Sequence, residues 1–306
     1  MMRAPGGVAI SVRKGNGSIV TRSFPYISRS RRRKALALPI VRGAVALVEM
    51  LTLGIQALNW SARQAAEDSV HPGEKNEEKT VRAGSNSAIV LALVLALAVG
   101  MGFFFYLPLI VAGLLVGHEN QILFNLVDGL IRVAFFLGYV YLIQFLPDIR
   151  RIFQYHGAEH KAVFCYESGC GLSIDEAANH PTRHPRCGTS FLLIVLVFAI
   201  VLFAVADSLL FGLGGVTPSR LSRFFFHIVL LPIVAGASYE LMRFSSRRSK
   251  NRLIRLLLSP GLALQRITTR EPDCSQLEVG VTSLREALRF TSEEKSGTRL
   301  ENDREA

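Results

Sequence analysis

Long apolar runs alternate with polar segments along this chain, and the lengths of the runs predict membrane helices. Residues 87–117 contain no charged side chain, and neither do residues 191–206. An uncharged apolar run of about 18 residues or more is typical of a helix that crosses a bilayer. Together with apolar stretches at 126–146 and 224–244, the pattern predicts four crossing helices, and residues 35–60 are a candidate fifth.

The N-terminal region has a different pattern, which predicts a small β-hairpin. Between residues 7 and 24, apolar residues alternate with smaller or polar residues on either side of a Gly-Asn-Gly turn. This alternation with a glycine-rich turn is typical of two antiparallel strands. A basic block follows at residues 29–34, where five of the six residues are Arg or Lys.

The first apolar stretch, residues 35–60, carries polar side chains that a simple membrane span lacks. Arg42, Glu49 and Gln56 are seven residues apart and therefore line one face of a helix. The segment is a crossing helix with a buried polar stripe, a re-entrant segment, or a helix lying in the membrane interface. A single crossing would put the basic block outside, against the usual excess of Lys and Arg in cytoplasmic segments, so we favour a segment that does not cross.

The distribution of basic residues predicts which segments face the cytoplasm. The short loops 118–125 and 212–223 together contain two Arg or Lys residues, Arg220 and Arg223. Residues 148–189 and the C-terminal region are rich in Arg and Lys. Basic residues are concentrated on the cytoplasmic side of membrane proteins. We therefore expect a multi-pass protein of the bacterial cell membrane, with the 148–189 loop and the C terminus in the cytoplasm.

These features predict an all-α polytopic membrane protein with four to five membrane helices, a small N-terminal β-hairpin and a C-terminal amphipathic helical tail. The last amphipathic helix is marked by Leu277, Val281, Leu284 and Leu288. Seven segments follow: the hairpin and basic block (1–34), the interfacial, re-entrant or first membrane helix (35–60), a polar linker (61–86), a helical membrane hairpin (87–147), a hydrophilic cytoplasmic loop (148–189), a second membrane hairpin (190–244) and a basic amphipathic tail (245–306).

The net charge and the positions of the cysteines indicate which binding partners and which state of the thiols to expect. The net charge is +11, but the positive residues flank the apolar runs. Because no recognised nucleic-acid-binding motif accompanies them, we do not expect a nucleic acid as a binding partner. The expected partner is the lipid bilayer, with anionic lipids at the basic segments. A protein partner is unknown. All four cysteines fall in segments predicted to be cytoplasmic, so we expect free thiols and no disulfide framework.

The segment 153–161, FQYHGAEHK, contains the pattern H-x-x-E-H. Two histidines at i and i+4 on a helix present their imidazoles to one metal ion, so His156 and His160 are candidate ligands. Glu159 between them is a candidate general base toward a water molecule at the metal. A divalent ion, zinc in the first instance, is the expected cofactor.

A catalytic zinc site needs a third protein ligand, and the sequence offers two sources. Glu240 lies near the cytoplasmic end of the last predicted span, where an ionisable side chain needs a partner. The alternatives are His184 and Cys187, at the entry to the preceding span. In the competing interpretation without a metal, His156 forms only local hydrogen bonds and Glu240 pairs with Arg243 one turn away.

The chain resembles the YqhQ-like family of bacterial membrane proteins, which has no established biochemical function and is described as a candidate metal-dependent family. Relatives usually carry a Gly-rich segment immediately before the Met-Met-Arg at which this chain begins, so either the start lies upstream or this member lacks the segment. The resemblance implies a motif set and no substrate. Its motifs are FQYHGAEHK at 153–161, HPRCGTSF at 184–191, AGASYE at 235–240, SPG at 259–261 and QRITTREP at 265–272.

The leading functional hypothesis is a membrane protein with a metal site at the cytoplasmic face, whose reaction class, if it is an enzyme, is metal-dependent hydrolysis of a peptide or lipid-linked substrate. A transporter or channel is the first alternative, because ionisable residues lie in apolar segments: Glu49, Asp128, Arg132, Asp207 and Glu240. Asp128 and Arg132 are one helical turn apart, so we expect them to pair with each other. A non-enzymatic membrane scaffold or assembly factor is the second. Cys165 or Cys170 as a nucleophile paired with a histidine is a less favoured possibility.

Overall fold

The structure is a computed structural model and describes residues 1–68, 86–117, 120–184, 187–207, 209, 219–247 and 251–305. The chain divides into two compact units, which are treated separately below. The sheet unit comprises Met1–Val70, Ile143–Leu193 and Ala235–Ala306, and the helical unit comprises His71–Leu142 and Ile194–Val234.

The sheet unit begins with three antiparallel strands in the order β1-β2-β3. They are β1 (Met2–Ala4), β2 (Gly6–Arg13) and β3 (Ile19–Tyr26). The predicted hairpin is confirmed as β2 and β3, and its turn uses Gly17 at a positive φ of 86°. The first strand was not predicted, because three residues are too few to show an alternating pattern.

Both faces of β2 are covered, because successive side chains of a strand point to opposite faces. Val8 and Ile10 on one face are buried with Leu53 of helix α2 (Val41–Asp68). Ala9 on the other face lies in a larger core with residues of helices α6 (Pro147–Glu167) and α11 (Cys274–Glu305). The sheet is therefore the centre of this unit.

Further helical elements belong to the sheet unit. The basic block contains α1 (Arg29–Arg32) and a short 3₁₀ turn at Lys34–Ala37. A five-residue helix, α7 (Ile174–Ala178), follows α6, and α10 (Arg252–Thr268) precedes α11. The α7 N terminus is capped reciprocally by Ser173 and Glu176.

The hydrophilic segment 148–189 contains nearly all of the 21-residue helix α6, and the i, i+4 spacing of its two histidines had indicated a helix there. This helix buries Ala158, Ala162 and Cys165 in the core shared with α11, so tertiary packing stabilises a segment whose composition looks loop-like. The amphipathic helix predicted from Leu277, Val281, Leu284 and Leu288 is confirmed. Its apolar face packs on this core.

The helical unit is built from long apolar helices. They are α3 (Asn86–Met101), a π-helical turn (Gly102–Tyr106), α4 (Leu107–Val116), α5 (Gln121–Ile143), and parts of α8 (Gly188–Asp207) and α9 (Arg220–Arg247). Within α5, Arg132 pairs with Asp128 one turn away at 2.9 Å, as the spacing predicted.

Within the described residues, four helices are long and apolar enough to cross a membrane: Val41–Asp68, Val94–Val116, Leu123–Ile143 and Phe224–Ser245. A shorter apolar helical stretch, Ile194–Asp207, lies within the 20-residue α8. The predicted all-α class with a small N-terminal sheet is confirmed. The helices indicate a multi-pass membrane protein.

Candidate metal centre

The two histidines of the H-x-x-E-H motif lie side by side on α6. Their ring centroids are 4.4 Å apart, as expected for residues four positions apart on a helix. The Nδ1 atom of His156 is 2.9 Å from the carbonyl oxygen of Thr268, and Nδ1 of His160 contacts the carbonyl oxygen of Thr182. A carbonyl can only accept, so both Nδ1 atoms carry the proton and both Nε2 atoms present a lone pair.

Cys187, immediately before α8, completes the cluster. Its Sγ atom is 3.2 Å from Nε2 of His156. One ligand atom from each of His156, His160 and Cys187 lies within 4.8 Å of the other two. Cys187 and His160 are buried, and His156 is partly buried. The cluster therefore combines two imidazole nitrogens and one sulfur, a donor set suited to zinc.

Helix α10 holds both sides of this cluster in place. Its residue Thr268 supplies the carbonyl that orients His156. Gln265, fully buried, accepts a hydrogen bond from the backbone N–H of His184 at 2.7 Å and donates to the backbone carbonyl of the same residue at 2.8 Å. These two hydrogen bonds fix the backbone of His184, three residues before Cys187. Sequence reasoning missed Gln265, because one glutamine in an amphipathic helix carries no local signal.

Gly157 allows the α6 backbone to approach the segment between α10 and α11. A Cβ atom at this position would lie 2.0 Å from the carbonyl oxygen of Arg270. The backbone N–H of Arg270 also donates to the carbonyl oxygen of Phe153 at 2.9 Å. The glycine beside His156 is therefore explained by close packing, even though glycine disfavours helices.

The electrostatics of the cluster favour a charged sulfur. Burial alone would raise the pKa of the Cys187 thiol, but its side-chain hydrogen bonds with His156 and His160, and the charge that these imidazoles carry once Nε2 accepts a proton, lower that pKa to about 5. For His156, burial lowers the pKa, and the opposing hydrogen bond to Cys187 produces a net rise. A thiolate is the form of cysteine that binds metal ions.

Glu159, the predicted general base, lies on α6 between the two histidines. Its carboxylate is 2.7 Å from the amino nitrogen of Met1, and the side chain is one-third exposed. It is outside the group of converging ligand atoms. Its negative charge nevertheless contributes to the raised pKa of His156.

The other two ligand candidates are directed elsewhere. Glu240 forms a two-pronged ion pair with the guanidinium of Arg42, so it is neither in the cluster nor paired chiefly with Arg243. His184 is buried, with Nε2 at 3.4 Å from a carboxylate oxygen of Glu167. Of the alternatives for the third ligand, the structure brings only Cys187 to the histidine pair.

A second sulfur-containing group lies at the end of α6. Cys165 and Cys170 form a disulfide, and Cys170 Sγ is 3.8 Å from Nε2 of His180. The sequence-based expectation of free thiols is therefore wrong for this pair. The chain turns back at Gly169, with a positive φ of 78°, and the backbone N–H of Cys170 bonds to the carbonyl of Cys165. Cys187 and Cys274 are free thiols.

Comparison with known proteins identifies the family. The chain is 28% identical over 288 residues to "Uncharacterized protein YqhQ" of Bacillus subtilis, covering 92% of this chain and 86% of that protein. No solved structure matches the chain. Residues 38–290 match the family described as "Protein of unknown function (DUF1385)", and both α6 and Cys187 fall inside that match. The chain therefore belongs to the DUF1385 family of proteins of unknown function.

Proposed function

We propose that this membrane protein is a metal-dependent hydrolase whose ion, zinc in the first instance, is held by Nε2 of His156, Nε2 of His160 and Sγ of Cys187. The observation that carries the proposal is the convergence of these three ligand atoms within 4.8 Å. Three protein ligands and one open position are typical of catalytic zinc sites, whereas structural zinc sites have four protein ligands.

The residues fit the ion in chemistry and in spacing. Two ligands at zinc-bond lengths in a tetrahedral arrangement are about 3.5 Å apart, and Sγ of Cys187 is 3.2 Å from Nε2 of His156. Backbone carbonyls hold both Nδ1 atoms, which orients the rings as outer hydrogen-bond partners do in known metal sites. When bound, the ion would supply Lewis-acid chemistry, polarising a carbonyl or phosphoryl group and activating water.

Glu159 has the general-base role in this proposal. It lies between the two histidine ligands and keeps one-third of its side chain exposed, so it can exchange protons with solvent. A Glu159→Gln variant should therefore retain the metal and lose turnover. The substrate class proposed is a peptide or lipid-linked ester or amide. The orientation proposed places α6 in the cytoplasm, because basic residues are rare in the short loops of the opposite side.

Metal content tests the proposal directly, and the chain provides a matched control. Cys187 and Cys274 are both free thiols, but only Cys187 belongs to the cluster. Purified wild-type protein and Cys274→Ser should bind close to one zinc per chain, whereas Cys187→Ser should bind it much more weakly. Elemental analysis after equilibration with buffered zinc measures this. Negligible metal in all three proteins, or equal metal in all three, would contradict the proposal.

A second candidate is a cysteine nucleophile activated by histidine. The specific observation is the 3.2 Å contact between Sγ of Cys187 and Nε2 of His156, which is also the geometry of a nucleophile–base pair. Strong chelators should leave such an enzyme active, and iodoacetamide should inactivate it by alkylating Cys187. Under the metal proposal, chelators abolish activity, and bound zinc protects Cys187 from alkylation.

A further inference from the structure

Helix α2 is apolar and long enough to cross a bilayer, yet one of its faces packs on the N-terminal sheet. Leu53 is buried against Val8 and Ile10 of β2. Ala57 and Trp60, one and two turns further along α2, extend the same contact. The half of α2 that follows Leu53 therefore lies against a β-sheet instead of being surrounded by other membrane helices.

The contact continues to the end of the helix. A carboxylate oxygen of Asp68 accepts a hydrogen bond from the backbone N–H of Gly15, in the β2–β3 turn, at 2.7 Å. Near the middle of α2, buried Glu49 accepts hydrogen bonds from the Ser28 hydroxyl and the Arg29 N–H. A crossing α2 would carry this open three-stranded sheet into the hydrocarbon, where unpaired edge groups of a sheet are not tolerated.

The number of membrane crossings along the chain leads to the same result. Ala9 of β2 shares a core with Ala158 of α6, so the sheet and α6 lie on the same side of the membrane. Within the described residues, the long helices between the sheet and α6 are α2, the helical run 86–116 and α5. One crossing by each of the last two, which their length and apolar composition permit, returns the chain to its starting side and leaves no crossing for α2.

The face of α2 opposite the sheet is apolar and exposed. It consists of Val48, Leu51, Ile55 and Leu58, each between 58% and 66% exposed. These residues follow the spacing of a single helical stripe, directed away from Leu53. We propose that α2 is an interfacial helix that lies along the membrane surface, with this stripe inserted into the lipid and the sheet on its other side.

Two features identify lipid, rather than a protein, as the occupant of the stripe. First, Arg42 at the start of α2 pairs with Glu240, and a Cβ on Gly43 would lie 2.7 Å from Cα of Gly236, so α2 begins in contact with α9. Glu240 is five residues before Ser245, the end of a candidate span, or about 7.5 Å at 1.5 Å per residue. Gly236 is nine residues before Ser245, or about 13.5 Å by the same count, which is less than half of a hydrocarbon core about 30 Å thick. The start of α2 therefore packs against α9 within one leaflet of the membrane.

Second, charge complementarity favours an anionic membrane surface. The basic block of Arg29, Arg31, Arg32, Arg33 and Lys34 is separated from the start of α2 by six residues. Arg31 to Lys34 are all exposed. An amphipathic helix with adjacent Arg and Lys residues is the arrangement that binds anionic lipid interfaces.

Fluorescence quenching can test the position of the stripe, because Trp60 is the only tryptophan of the chain. Full-length Ile55→Trp and Leu58→Trp variants, each with Trp60→Phe, are reconstituted in vesicles of phosphatidylcholine and phosphatidylglycerol. Separate samples contain lipids brominated near the headgroup or near the end of the acyl chain. The wild-type protein, whose Trp60 faces the sheet, is the matched control, and size-exclusion elution verifies folding.

Both stripe tryptophans should be quenched several-fold more by shallow bromines than by deep ones, and more strongly than Trp60. The substitutions Arg31→Glu and Arg32→Glu should weaken the quenching of the stripe tryptophans in vesicles that contain phosphatidylglycerol. Strongest quenching by the deep bromines would show a crossing helix and overturn the proposal. Absence of quenching by any brominated lipid would show that a protein surface, such as a second copy, covers the stripe and would also overturn it.

Discussion

Two buried histidine sites in this protein use the imidazole in different ways. In the helical unit, Nε2 of His227 is 3.1 Å from a carboxylate oxygen of fully buried Asp207, and the ring stacks on Phe203 with centroids 4.1 Å apart. In the sheet unit, the Nδ1 atoms of His156 and His160 form hydrogen bonds to backbone carbonyl oxygens, and the Nε2 side of the pair faces the sulfur of Cys187.

The difference predicts which of the two polar clusters binds an ion. A carboxylate and an aromatic ring already surround the His227 imidazole, so the pair satisfies buried polar groups among apolar helices. In the other cluster the three converging atoms are all metal donors, and carbonyl acceptors fix both rings. The predictions below test whether metal binding belongs only to the second site.

The largest expected effect is on zinc affinity. Replacing both ligands in a His156→Ala/His160→Ala variant should weaken zinc binding by at least about 100-fold, because even outer-shell changes cost 10- to 100-fold. Competition with a chromophoric chelator measures this affinity. The His227→Ala variant should bind zinc as tightly as the wild type; an equal loss in both variants would remove the distinction between the two sites.

Protein stability should be nearly as sensitive to close packing beside the cluster of His156, His160 and Cys187. A Gly157→Ala change places Cβ 2.0 Å from the Arg270 carbonyl oxygen and should destabilise the protein by about 3 kcal/mol, the upper end of typical overpacking costs. Denaturant unfolding in detergent micelles measures the loss. Gly54→Ala on α2, where a Cβ meets nothing within 4 Å, is the matched control and should be neutral or stabilising by up to about 1 kcal/mol. Equal destabilisation by both changes would contradict the packing explanation.

The His227 site should affect stability without affecting metal binding. Asp207→Leu removes the carboxylate that faces the buried imidazole and should cost about 2 kcal/mol of unfolding free energy. Zinc stoichiometry of the same preparation should remain that of the wild type. A loss of zinc from folded Asp207→Leu protein would show that metal binding depends on this pair.

The smallest expected effect is on the free energy of unfolding, through the N-terminal cap of α11, the helix that packs against α6. Hydrogen bonds from Ser275 and Gln276 lower the pKa of Asp273, which caps α11 with a 2.8 Å bond from the Gln276 N–H. Asp273→Ala should cost about 1 kcal/mol at pH 7. Because the folded pKa is below the unfolded value of about 3.9, this stability is complete above pH 4 and is lost as the pH falls through the folded pKa. Unfolding curves at pH 7 and pH 3 measure the change, and a cost that is unchanged at pH 3 would contradict the role of the charge.

Local patterns were sufficient for the elements whose stabilising contacts are near in sequence. The Gly-Asn-Gly turn with alternating residues predicted the β2–β3 hairpin, and the i, i+4 spacing predicted both the His156–His160 pair and the Asp128–Arg132 pair. In each case the partners are adjacent on a strand or one helical turn apart. Their geometry therefore follows from backbone periodicity.

Contacts between residues that are far apart in the sequence could not be predicted from local patterns. The sequence offered Glu240, His184 and Cys187 equally as third ligands, and the choice depended on where Arg42, 198 residues from Glu240, lies in the fold. In the same way, no local pattern indicated that α11, more than a hundred residues later, covers the apolar face of α6. The sequence had no local signal for either contact.

By itself, then, the sequence determined the apolar helices, the hairpin, the histidine pair and the family motifs, because hydrophobic run length and residue spacing act over a few turns of chain. Only the tertiary structure decided that Cys187 joins the histidines, that Gln265 holds the segment before it, and that α2 lies against the sheet. Those contacts join residues that are from about thirty to about eighty positions apart, and burial of shared surfaces brings them together.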